Sequence, residues 1–396
     1  MSSSSGFDFS PLLHIMLMGL AIALGPLFWV WLRSRNLSPA QRLRALTLLT
    51  LFVTFDLVLF GAFTRLTDSG LGCPDWPGCY GHASPIGAQS AITLAQEAMP
   101  TGPVTHGKAW IEMLHRYMAT GVGVLIVTLL AARWWEGWRS KALKNAPAQA
   151  QSLPSLWWPA LTLLLVCLQG AFGALTVTMK LFPAIVTLHL LGALLLLAFL
   201  TAQASRYDLT LQTQAKAHIS RGLYAVTLLV GLLLTLQITL GGWVSTNYAV
   251  LACQDFPACQ SSWWPAMDFQ QGFTVWRELG LTGEGNPINF TALTAIHYTH
   301  RLMAYLVLTA LAALAWRLHR LPGLRRQARM LAALTVLQLL TGLSNVVLGW
   351  PLVAALAHTG GAAAMVMALV WVVTSCQPQF AKATTVRRNP ARGVTA

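Results

Sequence analysis

Residues 111–133 read IEMLHRYMATGVGVLIVTLLAAR, a mostly apolar run that carries Glu112, His115 and Arg116 near one end and closes at Arg133. A membrane-spanning helix needs about 20 consecutive, mainly apolar residues, and this stretch has that length. Ionisable residues inside such a helix are costly and usually functional. The stretch therefore predicts a transmembrane helix with functional groups near one end.

The composition of the whole chain also indicates a membrane protein. Its 396 residues are 55% hydrophobic and 10% charged, with a mean hydropathy of +0.58, whereas soluble domains carry about 25% charged residues. A soluble globular enzyme is therefore excluded. Apolar runs bounded by Arg, Lys, Pro or Gly predict nine spans, at 11–33, 41–64, 111–133, 156–178, 183–204, 219–243, 291–316, 328–350 and 352–376.

The distribution of charge predicts the orientation. The net charge of +14 comes from 26 Lys and Arg against 12 Asp and Glu. Such an excess occurs in nucleic-acid-binding proteins, but the cytoplasmic loops of membrane proteins also collect Lys and Arg. With the N-terminus outside, 20 of the 26 basic residues fall in cytoplasmic segments. We therefore expect an N-terminus outside, a C-terminus in the cytoplasm, and no binding to nucleic acid.

The N-terminal residues 1–10 contain no Lys or Arg. They lack both the basic region of a signal peptide and the Arg-rich character of a mitochondrial presequence. We expect the first apolar run to be retained as a membrane helix, and the chain to lie in the inner (plasma) membrane of a bacterium.

Two long segments on the predicted outer side, 65–110 and 244–290, open with similar sequences. Residues 61–79 read GAFTRLTDSGLGCPDWPGC and residues 241–259 read GGWVSTNYAVLACQDFPAC, and both contain C-x-D-x-P-x-C. A His-Arg pair follows each segment, and two helices later a His follows a Pro. The matched residues are His115-Arg116 with His300-Arg301, Pro183 and His189 with Pro351 and His358, and Gln169 with Gln338.

We interpret spans 2 to 5 and 6 to 9 as two copies of a four-helix unit. Four is an even number, so both copies share one orientation, and a pseudo-twofold axis along the membrane normal should relate them. The predicted fold is all-α, with two tandem four-helix bundles plus one extra N-terminal transmembrane helix. Its parts are the extra helix and loop (1–40), the N-terminal half (41–215), the C-terminal half (216–380) and a basic cytoplasmic tail (381–396).

His115, His189 and His358 each lie about four to seven residues inside the outer end of a predicted helix, or about 6 to 10 Å deep, and His300 lies nine residues inside its predicted helix. Two histidines on facing helices are what a bundle needs to hold a haem iron. Hydrogen-bonded helix contacts are the competing interpretation, and zinc fits less well because it normally takes three or four close protein ligands. The duplication in register favours two haem sites.

Glu112 precedes His115 by three residues and so shares its helical face. At the edge of a bound macrocycle its carboxyl could donate or accept a proton, although a solvated interfacial Glu is the alternative. The matching position in the second copy is His297, which leaves His297 and His300 as rival ligands; the His-Arg pairing favours His300. The difference predicts one catalytic site and one electron-transfer site.

Three further ionisable side chains are candidates. Arg116 and Arg301 could bind haem propionates, or their side chains could extend to the lipid head groups. Asp56 lies inside the second span, either as a functional group or as a protonated acid bonded to a nearby hydroxyl. The histidines without a counterpart in the repeat are interpreted as surface or packing residues: His14, His82, His106, His218 and His319.

Four of the six cysteines lie in the two predicted outer segments, in pairs of equal spacing. An oxidising compartment favours two local disulfides, Cys73 with Cys79 and Cys253 with Cys259. A redox role is the alternative for either pair. It is stronger for the first pair, which lies one loop away from Glu112.

These residues together resemble the haem A synthases, membrane enzymes that supply haem A to cytochrome oxidase. The resemblance covers roughly residues 45–376, and one departure is the extra helix ahead of the family's eight. It rests on the order of Glu112-x-x-His115-Arg116, His189, His300-Arg301, His358 and the loop sequence GLGCPDWPGC.

The resemblance implies a division of labour between the halves. His300 and His358 would hold haem b, and His115 and His189 would receive haem O. A methyl group of haem O would be oxidised to the formyl group of haem A by successive hydroxylations and loss of water, and Glu112 would be needed for turnover. Implied partners are an external electron donor, the haem O synthase and cytochrome oxidase assembly factors.

Two other functions use some of the same residues. A di-haem b-type cytochrome that only transfers electrons would use the four histidines but would not need Glu112. A transporter with parallel repeats would use Glu112 and Asp56 as a proton path, and it predicts helices broken at mid-membrane, whereas the prolines here lie mostly at helix ends.

Overall fold

A computed structural model describes residues 10–142, 153–211 and 216–379; the predicted basic tail, 381–396, lies outside them. Within these residues nine helices are long and apolar enough to cross a membrane, so the predicted all-α, multi-pass membrane fold is confirmed. The helices are α1 (Ser10–Ser34), α2 (Pro39–Leu66), α3 (His106–Ala142), α4 (Trp157–Thr178), α5 (Pro183–Thr210), α6 (Arg221–Thr246), α7 (Phe290–His319), α8 (Arg325–Val347) and α9 (Leu352–Ser375).

Local capping groups set several helix starts. The Ser38 side chain accepts the backbone N–H of Gln41, and Pro39 occupies the first turn of α2. α3 begins five residues before the predicted start because the Thr105 hydroxyl accepts the backbone N–H of Lys108. His115 consequently follows the first residue of α3 by nine positions and lies deeper in its helix than expected.

The structure adds small elements that the sequence did not predict. Strands β1 (Ala217–Ser220) and β2 (Cys376–Gln379) form a parallel pair that joins the residues just before α6 to those just after α9. Each long segment between spans also contains a short helix, Gln89–Ala98 in the first and Phe269–Gly272 in the second. The strand pair ties together the two ends of the last four membrane helices.

The last eight membrane helices pack as two rings of four. α2 packs on α3, α3 on α4, α4 on α5, and α5 on α2; likewise α6 packs on α7, α7 on α8, α8 on α9, and α9 on α6. Between these groups α2 and α5 contact α9, and α5 contacts α6. The extra helix α1 packs on α3 and α2.

The apolar core occupies one end of the molecule. Its fully buried members, such as Leu129, Leu200, Leu318 and Val372, lie in the ends of the helices remote from the long segments 67–105 and 247–289. We call the opposite end, which carries both segments, the long-loop face. The four predicted ligand histidines lie between this largest apolar cluster and the smaller buried clusters of the long-loop face, which contain Met113, Phe182 and Tyr298.

Candidate functional site

His115 of α3 and His189 of α5 face each other within the first group of helices. The two partly buried imidazoles are close enough to interact electrostatically. Glycines make room for both rings: a Cβ added at Gly61 would lie 3.0 Å from His115 Nε2, and one at Gly173 would lie 3.3 Å from His189 Cε1. Phe60 stacks on His115 at a centroid separation of 6.4 Å. Two facing imidazoles of this kind suit axial ligation of one iron.

His300 of α7 and His358 of α9 form a second pair of the same design. Their imidazoles also interact electrostatically. A Cβ added at Gly241 would lie 2.9 Å from His300 Cε1, and one at Gly342 would lie 3.2 Å from His358 Cε1. Among the described residues no cluster of three or more His, Cys, Asp and Glu is arranged to hold a metal ion.

A glutamine on the preceding helix holds the backbone at one histidine of each pair. Gln169 Nε2 donates to the carbonyl oxygen of His189 at 2.6 Å, and Gln338 Nε2 donates to that of His358 at 2.8 Å. A glycine follows each of these histidines by three residues and leaves space for the glutamine side chain. The equal spacing of Gln and His noted in the sequence therefore corresponds to a repeated contact.

The second pair has hydrogen bonds to its rings that the sequence analysis missed. Gln237 Nε2 lies 3.1 Å from His300 Nδ1, and Thr341 Oγ1 lies 3.0 Å from His358 Nδ1. Comparison of the two copies gave no signal for these groups, because the matching residues in the first copy, Leu57 and Phe172, are apolar.

The first pair lacks such support. His189 Nδ1 is buried without a hydrogen-bond partner. Within the parts of the chain that the structure describes, no group hydrogen-bonds the imidazole of His115 either; its ring contact is Phe60. The two pairs thus share their placement and differ in what holds the rings.

Glu112 is buried, with 4% of its surface exposed. Oε2 accepts the backbone N–H of Cys73 at 2.7 Å, and Oε1 accepts Nη2 of Arg116 at 2.5 Å. The interpretation of Glu112 as a solvated interfacial carboxylate is therefore wrong. It is a fixed carboxylate, three residues from His115 and bonded to the first cysteine loop.

Arg116 and Arg301 bind the two cysteine loops. Arg116 Nη1 donates to the carbonyl oxygens of Asp75, Pro77 and Gly78 at 2.5 to 3.1 Å. Arg301 repeats this with Asp255, Ala258 and Cys253 at 2.7 to 3.0 Å. Extension to the lipid head groups does not describe this geometry. Both guanidinium groups fix a loop, and the donors available for a propionate are correspondingly few.

His297 occupies the position that Glu112 has in the first copy, and it faces the second loop. Its Nδ1 lies 3.0 Å from the carbonyl oxygen of Ala249, and the side chain is 6% exposed. Of the two rival ligands, His300 is the one whose ring faces Gly241 and Gln237. The loop contact of His297 supports a positioning role for this residue.

The two cysteine pairs are joined as predicted, Cys73 to Cys79 and Cys253 to Cys259. The Asp inside each C-x-D-x-P-x-C sequence closes the loop with its carboxylate: Asp75 accepts the N–H groups of Tyr80 and Gly81, and Asp255 those of Gln260 and Ser261. The N–H groups of Ser261 and Gln260 hold the pKa of Asp255 below its usual value. These bonds make each loop a compact cap on its helices.

The remaining candidates lie apart from both pairs. Among the described residues no hydroxyl bonds Asp56, and the hydroxyls of Thr50 and Thr54 on the same helix donate to carbonyl oxygens of that helix. His14 contacts the carbonyl oxygen of Ser10, and His106 contacts Thr93. The other histidines that lack a counterpart lie in the first cysteine loop (His82), in β1 (His218) and in the last turn of α7 (His319).

The chain is similar to known proteins over most of its length. The family described as cytochrome oxidase assembly protein matches residues 44–370. A haem A synthase of Shewanella oneidensis is 37% identical over 332 residues, which is 82% of this chain and 93% of the relative. Haem A synthases of Methylorubrum populi and Rhizorhabdus wittichii are 31% and 25% identical, and this chain covers 85% and 96% of their lengths. The match begins after α1.

Proposed function

From the premise that this chain belongs to the haem A synthase family of cytochrome oxidase assembly proteins, we propose which haem each of its two histidine pairs binds. The chain makes haem A from haem O, oxidising a methyl group to a formyl group. We propose that His115 and His189 hold haem O as substrate and that His300 and His358 hold haem b. The observation that carries this assignment is Glu112 beside the first pair, where the second pair has His297.

The helix contacts support two four-helix halves, 41–215 and 216–380. α2 to α5 form one closed ring of packed helices, and α6 to α9 form another. In the repeat α2 corresponds to α6 and α5 to α9, so a twofold axis would turn the contact of α2 with α9 into that of α6 with α5, and both contacts are present. β1 and β2 bind together the ends of the second half. We propose that a pseudo-twofold axis along the membrane normal relates the halves.

The residues present fit a haem in each half. Each pair offers two imidazoles that interact across its group of helices, and each ring lies against a glycine that leaves room beside it. Nδ1 of His358 is occupied by Thr341, which leaves Nε2 for iron. Haem b, when bound by His300 and His358, would supply electron transfer to the half that holds haem O.

Glu112 is the group best placed for proton chemistry. It is buried, and its two oxygens are oriented by Cys73 and Arg116, so its carboxyl has a fixed position on the same helical face as His115. We propose that Glu112 accepts or donates a proton at the edge of the substrate, or orients an intermediate there. Arg116 is a positioning residue that acts through Glu112 and the first cysteine loop. In the other half Arg301 and His297 are positioning residues that act through the second long segment.

The surroundings of the chain follow from the same proposal. We propose the bacterial inner membrane, with the long-loop face and the N-terminus outside and the C-terminus in the cytoplasm. The helix ends remote from that face carry Arg33, Arg133, Arg221 and Arg317, as the positive-inside rule requires. An external electron donor is needed, and the haem O synthase and oxidase assembly factors are the proposed protein partners.

The test is to identify the haems that each half holds. The protein is purified from a membrane that makes haem O, and its haems are extracted and identified by chromatography and mass. Wild type should contain haem B together with haem O, haem A or a hydroxylated intermediate. His300→Ala and His358→Ala should lose haem B, whereas His115→Ala and His189→Ala should keep it and lose the others. Loss of the same haem from all four variants would refute the assignment.

A further inference from the structure

The two histidine pairs differ in the groups that hold their second ring nitrogens. In the C-terminal half both Nδ1 atoms have a neighbour on an adjacent helix, Gln237 for His300 and Thr341 for His358. In the N-terminal half His189 Nδ1 is buried without a partner, and no described group bonds the ring of His115. Ligand histidines usually donate this second N–H to a fixed acceptor, which sets the ring orientation and strengthens the ligand.

The hydroxyl of Thr341 lies between a backbone carbonyl oxygen and the ring of His358. It lies 2.7 Å from the carbonyl oxygen of Leu337 and 3.0 Å from His358 Nδ1, so it can donate its single proton to Leu337 and accept the Nδ1–H of His358. In that arrangement His358 carries its proton on Nδ1, and its Nε2 lone pair is free for iron. The ring is held in the tautomer and orientation that a haem ligand requires.

Gln237 holds His300 through an amide contact. Its amide lies 3.1 Å from His300 Nδ1, and its Oε1 is buried without a partner. Its Nε2 also donates to the carbonyl oxygen of His300 at 3.1 Å, so the amide contacts both the backbone and the ring of this residue. Both rings of the second pair thus have a polar group from the adjacent helix beside Nδ1.

The first half has apolar residues at both of these positions. Gln237 precedes Gly241, the glycine against His300, by four residues; Leu57 precedes Gly61, the glycine against His115, by the same interval. Thr341 immediately precedes Gly342, and Phe172 immediately precedes Gly173, the glycine against His189. Neither Leu57 nor Phe172 can accept a hydrogen bond from an imidazole.

We propose that Thr341 and Gln237 make the C-terminal pair a permanently loaded haem site, and that Phe172 and Leu57 keep the N-terminal pair exchangeable. The inference rests on the proposed function and extends it to haem turnover. A resident cofactor needs strong, pre-oriented ligands, whereas a substrate must enter and its product must leave. Loss of one such supporting group typically weakens metal binding by about 10- to 100-fold, which is enough to separate a resident haem from a transient one.

Removal of the Thr341 hydroxyl tests the first part. In the full-length protein loaded with both haems, Thr341→Val should speed transfer of haem B to apomyoglobin by about tenfold or more and leave release of haem A unchanged. The midpoint potential of haem b should rise, because the imidazole loses electron donation from its bonded N–H. Thr341→Ser should restore both values.

The matched control is Thr335→Val. Thr335 lies on the same helix, is buried, and donates to Leu331 without contacting a histidine. It should leave both the transfer rate and the potential at wild-type values. Equal effects of Thr335→Val and Thr341→Val would mean that packing of α8, rather than the bond to His358, sets haem retention, and the inference would be wrong.

Transplantation tests the second part. Phe172→Thr, alone and with Leu57→Gln, places the missing polar groups beside His189 and His115, and it should slow release of haem A to apomyoglobin by about tenfold. If these variants and Thr341→Val release haem at wild-type rates, in protein that still contains haem B and makes haem A, this inference is wrong and the proposed function still stands. Loss of haem A instead of haem B from Thr341→Val would overturn the assignment of the halves.

Discussion

The backbone N–H of Cys73 donates a 2.7 Å hydrogen bond to Oε2 of Glu112, so a disulfide-bonded cysteine and the candidate proton-transfer group are in direct contact. The same carboxylate is paired with Arg116, which also binds carbonyl oxygens of the cysteine loop. The loop, the arginine and the carboxylate therefore form one unit above His115. The second half repeats the loop and the arginine but has His297 in place of the carboxylate.

Glu112→Gln should abolish most of the haem A formation. The substitution keeps the shape and an acceptor for the Cys73 N–H but removes the ionisable group, and general acid–base catalysis contributes about 10²- to 10⁴-fold. The extracted haems should shift to haem O or a hydroxylated intermediate, measured by chromatography and mass. Glu97→Gln, the same change at an exposed site in the first long segment, is the control. Normal haem A from the Glu112 variant would remove this residue from the mechanism.

Replacing Cys73 and Cys79 together by Ser should lower haem A formation more than replacing Cys253 and Cys259. Among the described residues only the first loop bonds a carboxylate of the proposed site, through the backbone N–H of Cys73. Serine keeps this N–H, but without the disulfide the loop can move it away from Glu112, and loss of one hydrogen bond to a charged group is worth about 1.5 kcal/mol, or about tenfold in rate. The second double variant should act on haem B retention through Arg301. Identical losses of haem A from both double variants would indicate general unfolding of the long-loop face.

Much of the fold could be predicted from the apolar runs, because a membrane helix must satisfy its backbone hydrogen bonds internally and cannot be short. Errors arose where local groups act. The Thr105 cap starts α3 early, and β1 pairs with β2 more than 150 residues away in sequence, a contact with no local signal. The four histidines and Glu112 stood out because ionisable residues are rare inside such helices.

The rest of the site could not be predicted, because it depends on contacts between helices. Thr341 looks like any hydroxyl residue in an apolar run until α8 is packed on α9 and its oxygen meets His358. Arg116 was a candidate for haem propionates or for lipid head groups, and the structure shows it bound to the cysteine loop, which folds back over α3. A sequence repeat reveals what two halves share and hides what only one of them has.

Glycine-to-alanine substitutions should remove haem from one half at a time. A Cβ at Gly241 would lie 2.9 Å from the ring of His300, and one at Gly61 would lie 3.0 Å from that of His115. Overpacking of about 1 to 3 kcal/mol should weaken haem B binding in Gly241→Ala and haem O binding in Gly61→Ala by about 5- to 150-fold. Gly231→Ala, with no neighbour within 4 Å of its added Cβ, should bind haem normally. Haem content per protein, by absorbance and extraction, is the measurement.

Gly19→Leu should loosen α1 from α3. A Cβ at Gly19 would lie 2.5 Å from Thr120 Cγ2, whereas one at Gly25, on the same helix, meets nothing within 4 Å. Ile15 of α1 packs in the cluster that contains Met113 of α3. We expect Gly19→Leu to destabilise the protein by about 1 to 3 kcal/mol and to lower its melting temperature in detergent, with Gly25→Leu unchanged. Equal melting temperatures would show that the close approach of α1 and α3 contributes no stability.

Thiol labelling should establish the orientation. Glu284 lies exposed in the second long segment and Arg320 lies exposed between α7 and α8, so the two positions are on opposite faces. In intact cells a membrane-impermeant maleimide should label Glu284→Cys at once and Arg320→Cys only after permeabilisation; the reverse order would place the N-terminus inside. Of the two free native cysteines, the exposed Cys167 is replaced by Ser in both variants, and the buried Cys376 should not interfere, because burial raises its pKa to about 11. Only the thiolate reacts, and about one thiol in a thousand is ionised at pH 8. Its labelling should therefore become appreciable only as the pH approaches 11, whereas the introduced, exposed cysteines react near neutral pH.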